Sequence, residues 1–279
     1  MIDVLLATFR PDADLLKAQV DSIRAQEGVE VNLICREDES GAGACANFSA
    51  LLGQSHEEYV AFADQDDVWM PCKLAKLLAL LRKMENKWGK NVPLLVFCDG
   101  RVADCELNPL SGTVISRQGV DACAGLAINR LLMQNFIAGN AMLFNAALRE
   151  KAGSVPSGAL MHDSWIVLVA AAFGHIGFVD EPLYDYRQHP ANALGATTAG
   201  FGHFLRRAIE GPMAFRRRLQ ENVVQARAFV ERFGVESPAS AVALAGLDGR
   251  NFFSRRMELV RHRLYKHGFL RNTSLLAFA

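Results

Sequence analysis

The 279-residue chain has no uninterrupted apolar run of about eighteen residues, no cysteine pair spaced C-x-x-C and no internal repeat. The missing run argues against a membrane-spanning helix, and the missing pair gives little support for structural zinc. Residues 1–6 lack the basic lead and cleavage site of a signal peptide, so we expect a cytoplasmic protein. The six cysteines lie mostly beside apolar residues, and we expect reduced, buried thiols.

Net charge is also absent, but this neutrality is a cancellation between two parts of the chain. Lys and Arg total 30, as do Asp and Glu, and residues 197–279 hold 14 of the basic and 6 of the acidic side chains. Residues 1–196 therefore carry a charge of −8 and are followed by a tail of +8. Because 51% of residues are hydrophobic and 22% charged, the chain is expected to fold, which excludes the disordered and low-complexity classes.

Apolar runs of strand length alternate with segments of helical spacing in the first part of the chain. The predicted strands cover residues 2–7, 29–35, 59–63, 93–98 and 176–179, and the predicted helices cover residues 12–26, 45–52 and 73–87. This alternation predicts an α/β fold with a mostly parallel central sheet. The pattern between residues 100 and 130 is weak, and we expect irregular connections there. Arginine-rich helical segments follow residue 195.

Three of the predicted strands end in acidic side chains, at Glu37 and Asp38, at residues 64–67, and at Asp99. Because the carboxyl ends of parallel strands meet at one edge of an open sheet, where ligands bind, we expect these carboxylates to converge. Such a concentration of negative charge usually requires a bound cation. Solvated charges at the starts of loops are the alternative for any one of the three clusters.

The segment 64–71, D-Q-D-D-V-W-M-P, carries the most specific chemical signal. Its D-x-D sequence at the end of a strand puts two carboxylates on a tight turn, which suits one divalent cation that also binds phosphate oxygens. A D-x-D sequence occurs by chance in many loops, so the other motifs of the chain decide how this one is interpreted.

Six motifs follow one another in a characteristic order. They are A-T-F-R at 7–10, R-E-D-E-S at 36–40, N-F at 47–48, D-Q-D-D-V-W-x-P-x-K-L at 64–74, H-D-S-W at 162–165 and Y-R-Q-H at 186–189. Together they resemble the nucleotide-sugar glycosyltransferases of family 2, and most closely the bacterial rhamnosyltransferase-like branch that builds O-antigen and other surface polysaccharides. The resemblance implies a GT-A, Rossmann-like catalytic domain at residues 1–196. Residues 197–279 would form a C-terminal α-helical extension.

The resemblance also implies a donor site at the strand ends. Asp38 would accept a hydrogen bond from N3 of uracil or thymine, although Glu37 and Glu39 depart from the family pattern beside it. The other residues implied to bind the nucleotide sugar are Thr8, Asp64, Asp66 and Arg187. A Mg²⁺ or Mn²⁺ ion would be held by Asp67, Asp66 and His189.

Asp163 corresponds to the catalytic base of the family. In an inverting transfer, a carboxylate takes the proton of the acceptor hydroxyl as its oxygen attacks the anomeric carbon. From the residues alone, Asp163 or Ser164 could instead cap the helix that follows. The resemblance assigns Gly139, Asn140 and Trp165 to the acceptor side.

The leading hypothesis is a metal-dependent inverting glycosyltransferase that moves L-rhamnose from dTDP-rhamnose, or a sugar from a UDP donor, to a saccharide or lipid-linked saccharide acceptor. A sugar nucleotidyltransferase is an alternative, but the chain lacks the glycine-rich, basic N-terminal loop that binds a triphosphate. A non-catalytic nucleotide-sugar-binding subunit is another alternative, for which the departures at Glu37, Glu39 and Ser164 leave room.

The excess of positive charge in residues 197–279 predicts that these residues contact a negatively charged partner or surface. Arginines at 206, 207 and 216–218 alternate with apolar residues, as in a basic amphipathic helix. Such helices could pack on the acidic domain, form a homo-oligomer contact, or bind anionic lipid peripherally at the inner face of the membrane. Nucleic acid is not an expected partner.

Overall fold

The computed structural model describes residues 1–188 and 211–279. The proposed metal ligand His189 and the arginines at 206 and 207 lie outside the described residues. The strands are β1 (Ile2–Thr8), β2 (Val31–Glu37), β3 (Tyr59–Ala63), β4 (Val68–Trp69), β5 (Leu94–Ala103), β6 (Pro109–Thr113), β7 (Met142–Asn145) and β8 (His175–Arg187). The helices are α1 (Ala13–Arg24), α2 (Ala44–Leu52), α3 (Lys73–Trp88), α4 (Val114–Gln118), α5 (Ile128–Leu131), α6 (Ala146–Ala152), α7 (His162–Phe173), α8 (Gly211–Phe233), α9 (Ala239–Ala245), α10 (Phe252–Arg261) and α11 (Phe269–Phe278).

Within the described residues, the strands form one sheet in the order β2-β1-β3-β7-β5-β8-β4, and β6 pairs with β5. β1 is parallel to β2 and β3, and β5 is parallel to β8. β7 is antiparallel to both of its neighbours, β3 and β5, and β4 is antiparallel to β8. The α/β fold is confirmed, and five of the eight described strands run in one direction, while β4, β6 and β7 run in the other. β7 runs back from the edge at which β3 ends, and this direction makes both of its pairings antiparallel.

The strands β1, β2, β3, β5 and β8 all run in the same direction, so their carboxyl ends share one edge of the sheet. Asp99 does not mark a strand end, because β5 continues to Ala103. Its carboxylate accepts hydrogen bonds from the backbone N–H of Gly100 at 2.7 Å and of Ile115 at 3.1 Å. The expectation that Asp99 joins the acidic cluster is therefore corrected, since this side chain organises the backbone of its own region.

Helix α1 begins where the sequence provides a cap. The carboxylate of Asp12 accepts from the N–H of Asp14 at 3.0 Å and of Leu15 at 3.2 Å, which satisfies two donors that the first helical turn leaves unpaired. The leucines of helix α3 that the sequence spacing predicted to share one face pack against the sheet. Of these, Leu74, Leu77 and Leu81 are fully buried. The core is thus built from β1, β3 and β5 with the apolar faces of the helices.

The chain divides into two compact units. Of the described residues, the first unit comprises 1–116, 137–155 and 161–188, and the second comprises 117–136, 156–160 and 211–279. The second unit therefore contains the C-terminal helices together with two segments from earlier in the chain. The predicted boundary between residues 196 and 197 falls outside the described residues.

The second unit has a core of its own, to which α8 contributes a continuous face. Leu219, Val223, Ala226 and Phe229 are buried along this helix, whereas the arginines at 216–218 are exposed. Across the two described stretches of chain, none of the helices is both long enough and apolar enough to span a bilayer.

All six cysteines are free thiols. Cys98 is buried, but Cys35, Cys105 and Cys123 are exposed. The expectation of buried thiols was therefore wrong for these three. Cys35 lies on β2, where successive side chains point to opposite faces, and Cys105 and Cys123 lie in connections between elements, so apolar neighbours in sequence do not ensure burial.

Candidate active site

The loop from Asp64 to Asp67 leaves β3 at the carboxyl edge of the sheet. Asp64 and Asp66 are half-buried, and Asp67 is buried. Gln65 ties the loop to the end of β1, because its side-chain oxygen accepts from the N–H of Phe9 at 2.8 Å. The D-x-D sequence thus lies in a loop held by its neighbour in the sheet.

Asp67 is held on both carboxylate oxygens. The side-chain amide of Asn140 donates to Oδ2, and the backbone N–H of Arg187 donates to Oδ1 at 3.3 Å. These partners come from the short 3-10 turn Gly139–Ala141 and from the end of β8. Asp67 therefore links three segments that meet at the same edge of the sheet.

The acidic side chains repel one another. Burial, followed by the negative charges of Asp66 and Asp163, raises the pKa of Asp64 to about 7. Burial and the charges of Asp64 and Asp66 likewise raise the pKa of Asp67 well above its usual range. A positive charge delivered to this loop would relieve both effects, which is the electrostatic property expected of a cation site.

Lys73 supplies a buried positive charge that sequence reasoning missed. Its side chain is fully buried, and its ammonium group donates to the backbone oxygen of Asn140 at 2.5 Å. The same group lies 3.4 Å from the centroid of the Trp69 ring. Burial lowers the pKa of Lys73 to about 7, while the charges of Asp67 and Asp64 act in the opposite direction.

One feature of the sequence could have indicated that Lys73 lies beside the acidic loop. Lys73 belongs to the D-Q-D-D-V-W-x-P-x-K-L motif, but lysines between the leucines of a helix are normally solvent-facing. Its position in the first turn of α3 instead points the side chain at the acidic loop, where it interacts with the charges of Asp64 and Asp67.

Asp163 lies in the first turn of α7 and is half-buried. Met161 is the N-cap residue of α7 and makes no side-chain capping hydrogen bond. Neither Asp163 nor Ser164 therefore caps this helix, which corrects that alternative. Burial raises the pKa of Asp163 to about 6, although hydrogen bonds from Ser164 and from the backbone of Gly139 act in the opposite direction. The turn Gly139–Ala141 hydrogen-bonds to Asp163 through the Gly139 backbone and to Asp67 through the Asn140 amide, which places Asp163 near the acidic loop.

His162 is enclosed by aromatic rings. It stacks on Phe48 with ring centroids 3.8 Å apart and meets Phe62 edge-on at 4.8 Å. Burial lowers its pKa to about 3, so the imidazole is neutral at pH 7. A Cβ atom at Gly139 would lie 2.8 Å from its Nε2, which explains why a glycine is suited to the position beside Asp163.

Asp38 and Thr8 lie at the carboxyl ends of β2 and β1 and are both buried. The Asp38 carboxylate accepts from the N–H of Gly43 at 2.7 Å, from the N–H of Ala42 at 3.1 Å and from the Ser40 hydroxyl at 2.9 Å. These bonds, led by that from Gly43, lower its pKa. Asp38 is thus an ionised acceptor that already organises its own loop.

Three other expected site residues have structural partners. Arg187 is buried, and its guanidinium donates to the backbone oxygens of Asp66 at 3.0 Å and of Cys105 at 2.5 Å. Trp165 is fully buried, and its indole N–H donates to the backbone oxygen of Ala152 at 3.2 Å. This burial corrects the expectation that Trp165 contacts an acceptor. Asn140, also buried, contacts Asp67, and His189 lies outside the described residues.

The donor atoms of the acidic loop fit a hard divalent cation. Asp66 and Asp67 offer carboxylate oxygens, and the buried Oδ1 of Asn140 has no hydrogen-bond partner. Within residues 1–188 and 211–279, no three His, Cys, Asp or Glu side chains are grouped as a metal site. Mg²⁺ is commonly held by one or two carboxylates plus phosphate oxygens of the substrate, a mode that needs no protein cage.

No protein-family model matches the chain, and no curated protein sequence matches it. Several solved structures are similar in fold. TarS residues 1–349 of S. aureus in complex with UDP aligns with a TM-score of 0.53 and 12% identity over 95% of this chain and 72% of that one. The same TarS fragment in complex with UDP-GlcNAc aligns with a TM-score of 0.52 and 12% identity over 94% of this chain and 80% of that one.

The mannosyltransferase PcManGT from Pyrobaculum calidifontis, in complex with GDP-Man and Mn²⁺, is also similar. It aligns with a TM-score of 0.53 and 18% identity over 99% of this chain and 78% of that one. The fold expected from the sequence motifs is thereby confirmed: this chain has the GT-A fold.

Proposed function

We propose that this protein is a metal-dependent inverting glycosyltransferase that takes its sugar from a nucleoside diphosphate donor. The observation that carries the proposal is that one short turn, Gly139–Ala141, contacts both groups: the Gly139 backbone hydrogen-bonds to Asp163, and the Asn140 amide donates to Asp67 of the acidic loop. A base and a set of carboxylates for a cation are the two parts that such a transfer requires. Three of the similar solved structures hold UDP, UDP-GlcNAc and GDP-Man, and these ligands support the donor class.

Asp163 is the proposed catalytic base. Its carboxylate takes the proton from an acceptor hydroxyl while the hydroxyl oxygen bonds to the anomeric carbon and the nucleoside diphosphate leaves from the opposite face. Hydrogen bonds from Ser164 and Gly139 orient the carboxylate, and its raised pKa makes it a stronger base than an exposed aspartate. The neutral His162 shapes the surface beside it.

Asp66 and Asp67 are the proposed protein ligands of Mg²⁺ or Mn²⁺, with His189 as a further ligand. The cation supplies electrostatic stabilisation for the negative charge on the leaving diphosphate. Asn140 and Arg187 hold Asp67 in place, and the charges of Asp67 and Asp64 favour the protonated form of the buried Lys73 beside the loop. The Mn²⁺ in the PcManGT complex supports use of a divalent ion.

The proposed donor is dTDP-L-rhamnose, with a UDP-sugar as the alternative, and the proposed acceptor is a saccharide or lipid-linked saccharide in surface polysaccharide synthesis. The D-Q-D-D-V-W and Y-R-Q-H motifs support the rhamnosyltransferase-like branch of family 2. Asp38, Thr8 and Asp64 line the proposed nucleotide side. Residues 1–196 contain the proposed catalytic domain and residues 197–279 its helical extension, with residues 117–136 and 156–160 belonging to the same compact unit as the extension.

The donor class is tested by thermal stabilisation of the full chain. We expect dTDP with Mn²⁺ to raise the melting temperature more than UDP or GDP with Mn²⁺, and each nucleotide to have less effect in EDTA. Equal stabilisation by all three would contradict the pyrimidine assignment. A shift that is insensitive to EDTA would contradict metal dependence.

Turnover is tested by release of dTDP from dTDP-rhamnose in the presence of Mn²⁺ and saccharide acceptors. Asp163→Asn should keep donor binding but lose turnover, and Asp66→Asn should weaken Mn²⁺-dependent binding. Asp180→Asn, at an exposed position of β8, is the matched control. Full activity of the Asp163 and Asp66 variants would overturn the site. Pyrophosphate release from a nucleoside triphosphate would favour a nucleotidyltransferase, and donor binding without any turnover a non-catalytic subunit.

A further inference from the structure

Helix α10 of the second unit exposes an apolar stripe. Phe253, Met257 and Val260 are 77%, 66% and 48% exposed. Residues spaced four and three apart lie on one face of a helix, so these three side chains form a continuous surface. Leu259, on another face of the same helix, is fully buried and attaches α10 to the unit. The exposed stripe is therefore additional to the face that α10 uses for folding.

Uncompensated positive charge borders the stripe. Residues 250–263 contain five arginines and a single acidic side chain, Glu258. Glu258 is already paired with Arg250 at 3.2 Å and lies 3.3 Å from His262. Arg261 and Arg263 are exposed, and neither forms an ion pair within the described part of the chain. The stripe thus combines large apolar side chains with cations that are available to an anionic partner.

The surface is pre-organised by contacts at the start of α10. The guanidinium of Arg256 lies 3.3 Å from the centroid of the Phe252 ring and donates to the backbone oxygens of Ala277 and Ala279 at the end of α11. The Phe252 ring meets that of Phe253 edge-on at 5.3 Å. These contacts hold the aromatic end of the stripe in place, which lowers the entropic cost of binding.

The exposed apolar stripe lies on α10, whereas the sequence pattern of arginines at 216–218 predicted a basic amphipathic helix in α8. In α8, the apolar residues Leu219, Val223 and Phe229 are buried in the unit, so they are not available beside the exposed arginines at 216–218. In α10 the exposed apolar residues share the helix with the exposed Arg261, and the exposed Arg263 follows just after the helix ends. An interfacial helix needs both, because apolar side chains enter the acyl boundary while cations bind the phosphate groups.

We propose that α10 is an interfacial helix by which the protein binds the surface of an anionic lipid bilayer. Phe253, Met257 and Val260 enter the headgroup region, and Arg261 and Arg263 bind lipid phosphates. This inference is independent of the proposed transfer reaction, because it concerns only side chains of the second unit.

The proposal is tested by sedimentation of the full chain with vesicles. One set contains phosphatidylcholine with about one third phosphatidylglycerol, and the other phosphatidylcholine alone. We expect binding to the anionic vesicles only, weakened when NaCl is raised from about 0.1 M to about 0.5 M. Phe253→Ser with Met257→Ser, and separately Arg261→Glu with Arg263→Glu, should each lower the partition coefficient at least about tenfold.

The matched control is Val235→Ser, which removes a fully exposed apolar side chain outside α10 and should leave binding unchanged. Melting temperatures of the variants confirm that they fold. Wild-type binding that neither double variant weakens would overturn the proposal, as would equal binding to neutral vesicles. A concentration-dependent dimer that Phe253→Ser with Met257→Ser dissociates, without vesicle binding, would overturn it in favour of a second copy as the occupant of the stripe.

Discussion

Lys73 brings one amine group into a fully buried position beside two aspartates, Asp64 and Asp67. Its hydrogen bond to the Asn140 backbone and its contact with the Trp69 ring replace the water that a lysine normally keeps. The charges of Asp64 and Asp67 favour its protonated form, and in return its charge opposes the rise in the pKa of Asp64. The protonation state of Lys73 is therefore set by two opposing effects: burial disfavours its charged form, and the nearby carboxylates favour it.

Lys73→Met tests this balance. The variant leaves the Asn140 oxygen unpaired and removes the counter-charge of Asp64 and Asp67, so we expect the free energy of unfolding to fall by about 1–3 kcal/mol. Lys76→Met is the matched control in the same helix, because Lys76 forms only an exposed ion pair with Glu181 and should cost no more than about 1 kcal/mol. Urea denaturation measures both, and equal stabilities of the two variants would contradict the assigned role.

We expect the pH dependence of turnover to follow Asp163, the proposed base. The proposed base acts as the carboxylate, and burial raises its pKa to about 6, so the group becomes protonated at a higher pH than an exposed aspartate. We therefore expect kcat/KM to be constant above that pH and to fall about tenfold per unit below it. A profile that stays flat down to about pH 4, the ordinary aspartate range, would contradict the assignment. The control Asp180→Asn should keep the wild-type profile.

At the scale of elements, Asp3 holds the start of the sheet together. Its carboxylate accepts from the Asn32 amide at 2.7 Å, from the Ser55 hydroxyl at 2.8 Å, and from the N–H groups of His56 and Glu57 at 2.9 and 3.0 Å. These partners lie on β2 and in the segment before β3. Although burial raises the pKa of Asp3, the hydrogen bonds lower it more, and the net shift is downward.

Asp3→Asn should therefore destabilise the protein in a pH-dependent way. At pH 7 we expect a loss of about 1–3 kcal/mol, because backbone donors lose a charged acceptor. A depressed folded-state pKa stabilises the fold above the ordinary aspartate value, and this contribution disappears as pH falls through the folded-state pKa. The difference between variant and wild type should consequently shrink on acidification. Urea denaturation at several pH values measures it, with the exposed Asp14→Asn as the control expected to change little.

The elements differ in how far the sequence predicted them. Apolar runs located β1 and β3 almost to the residue, since both strands are buried along nearly their whole length. β6 was missed in the segment expected to be irregular, because its residues are mostly exposed and it is defined by backbone pairing with β5. β8 extends far beyond the predicted strand at 176–179, since its exposed middle has no apolar signal.

At the scale of the whole molecule, the thiols provide a check on the fold. Cys35, Cys105 and Cys123 are exposed, and the other three cysteines are partly or fully buried. We expect titration of the native protein with a thiol reagent to show three fast-reacting groups, and all six to react in denaturant. Cys35 should be the slowest of the three, because burial and the charge of Glu37 raise its pKa and lower its thiolate fraction. One fast group or none would contradict these exposures.

The sequence by itself determined the α/β class, the acidic loop after β3 and the opposite charges of the two parts of the chain. These features are local: apolar periodicity, the residues that follow a strand, and composition. Only the tertiary structure decided that Lys73 is buried beside the acidic loop, that Trp165 belongs to the core, and that the exposed apolar stripe lies on α10. Burial and charge pairing depend on contacts between residues that are distant in sequence, and a local sequence pattern does not show which of these residues are in contact.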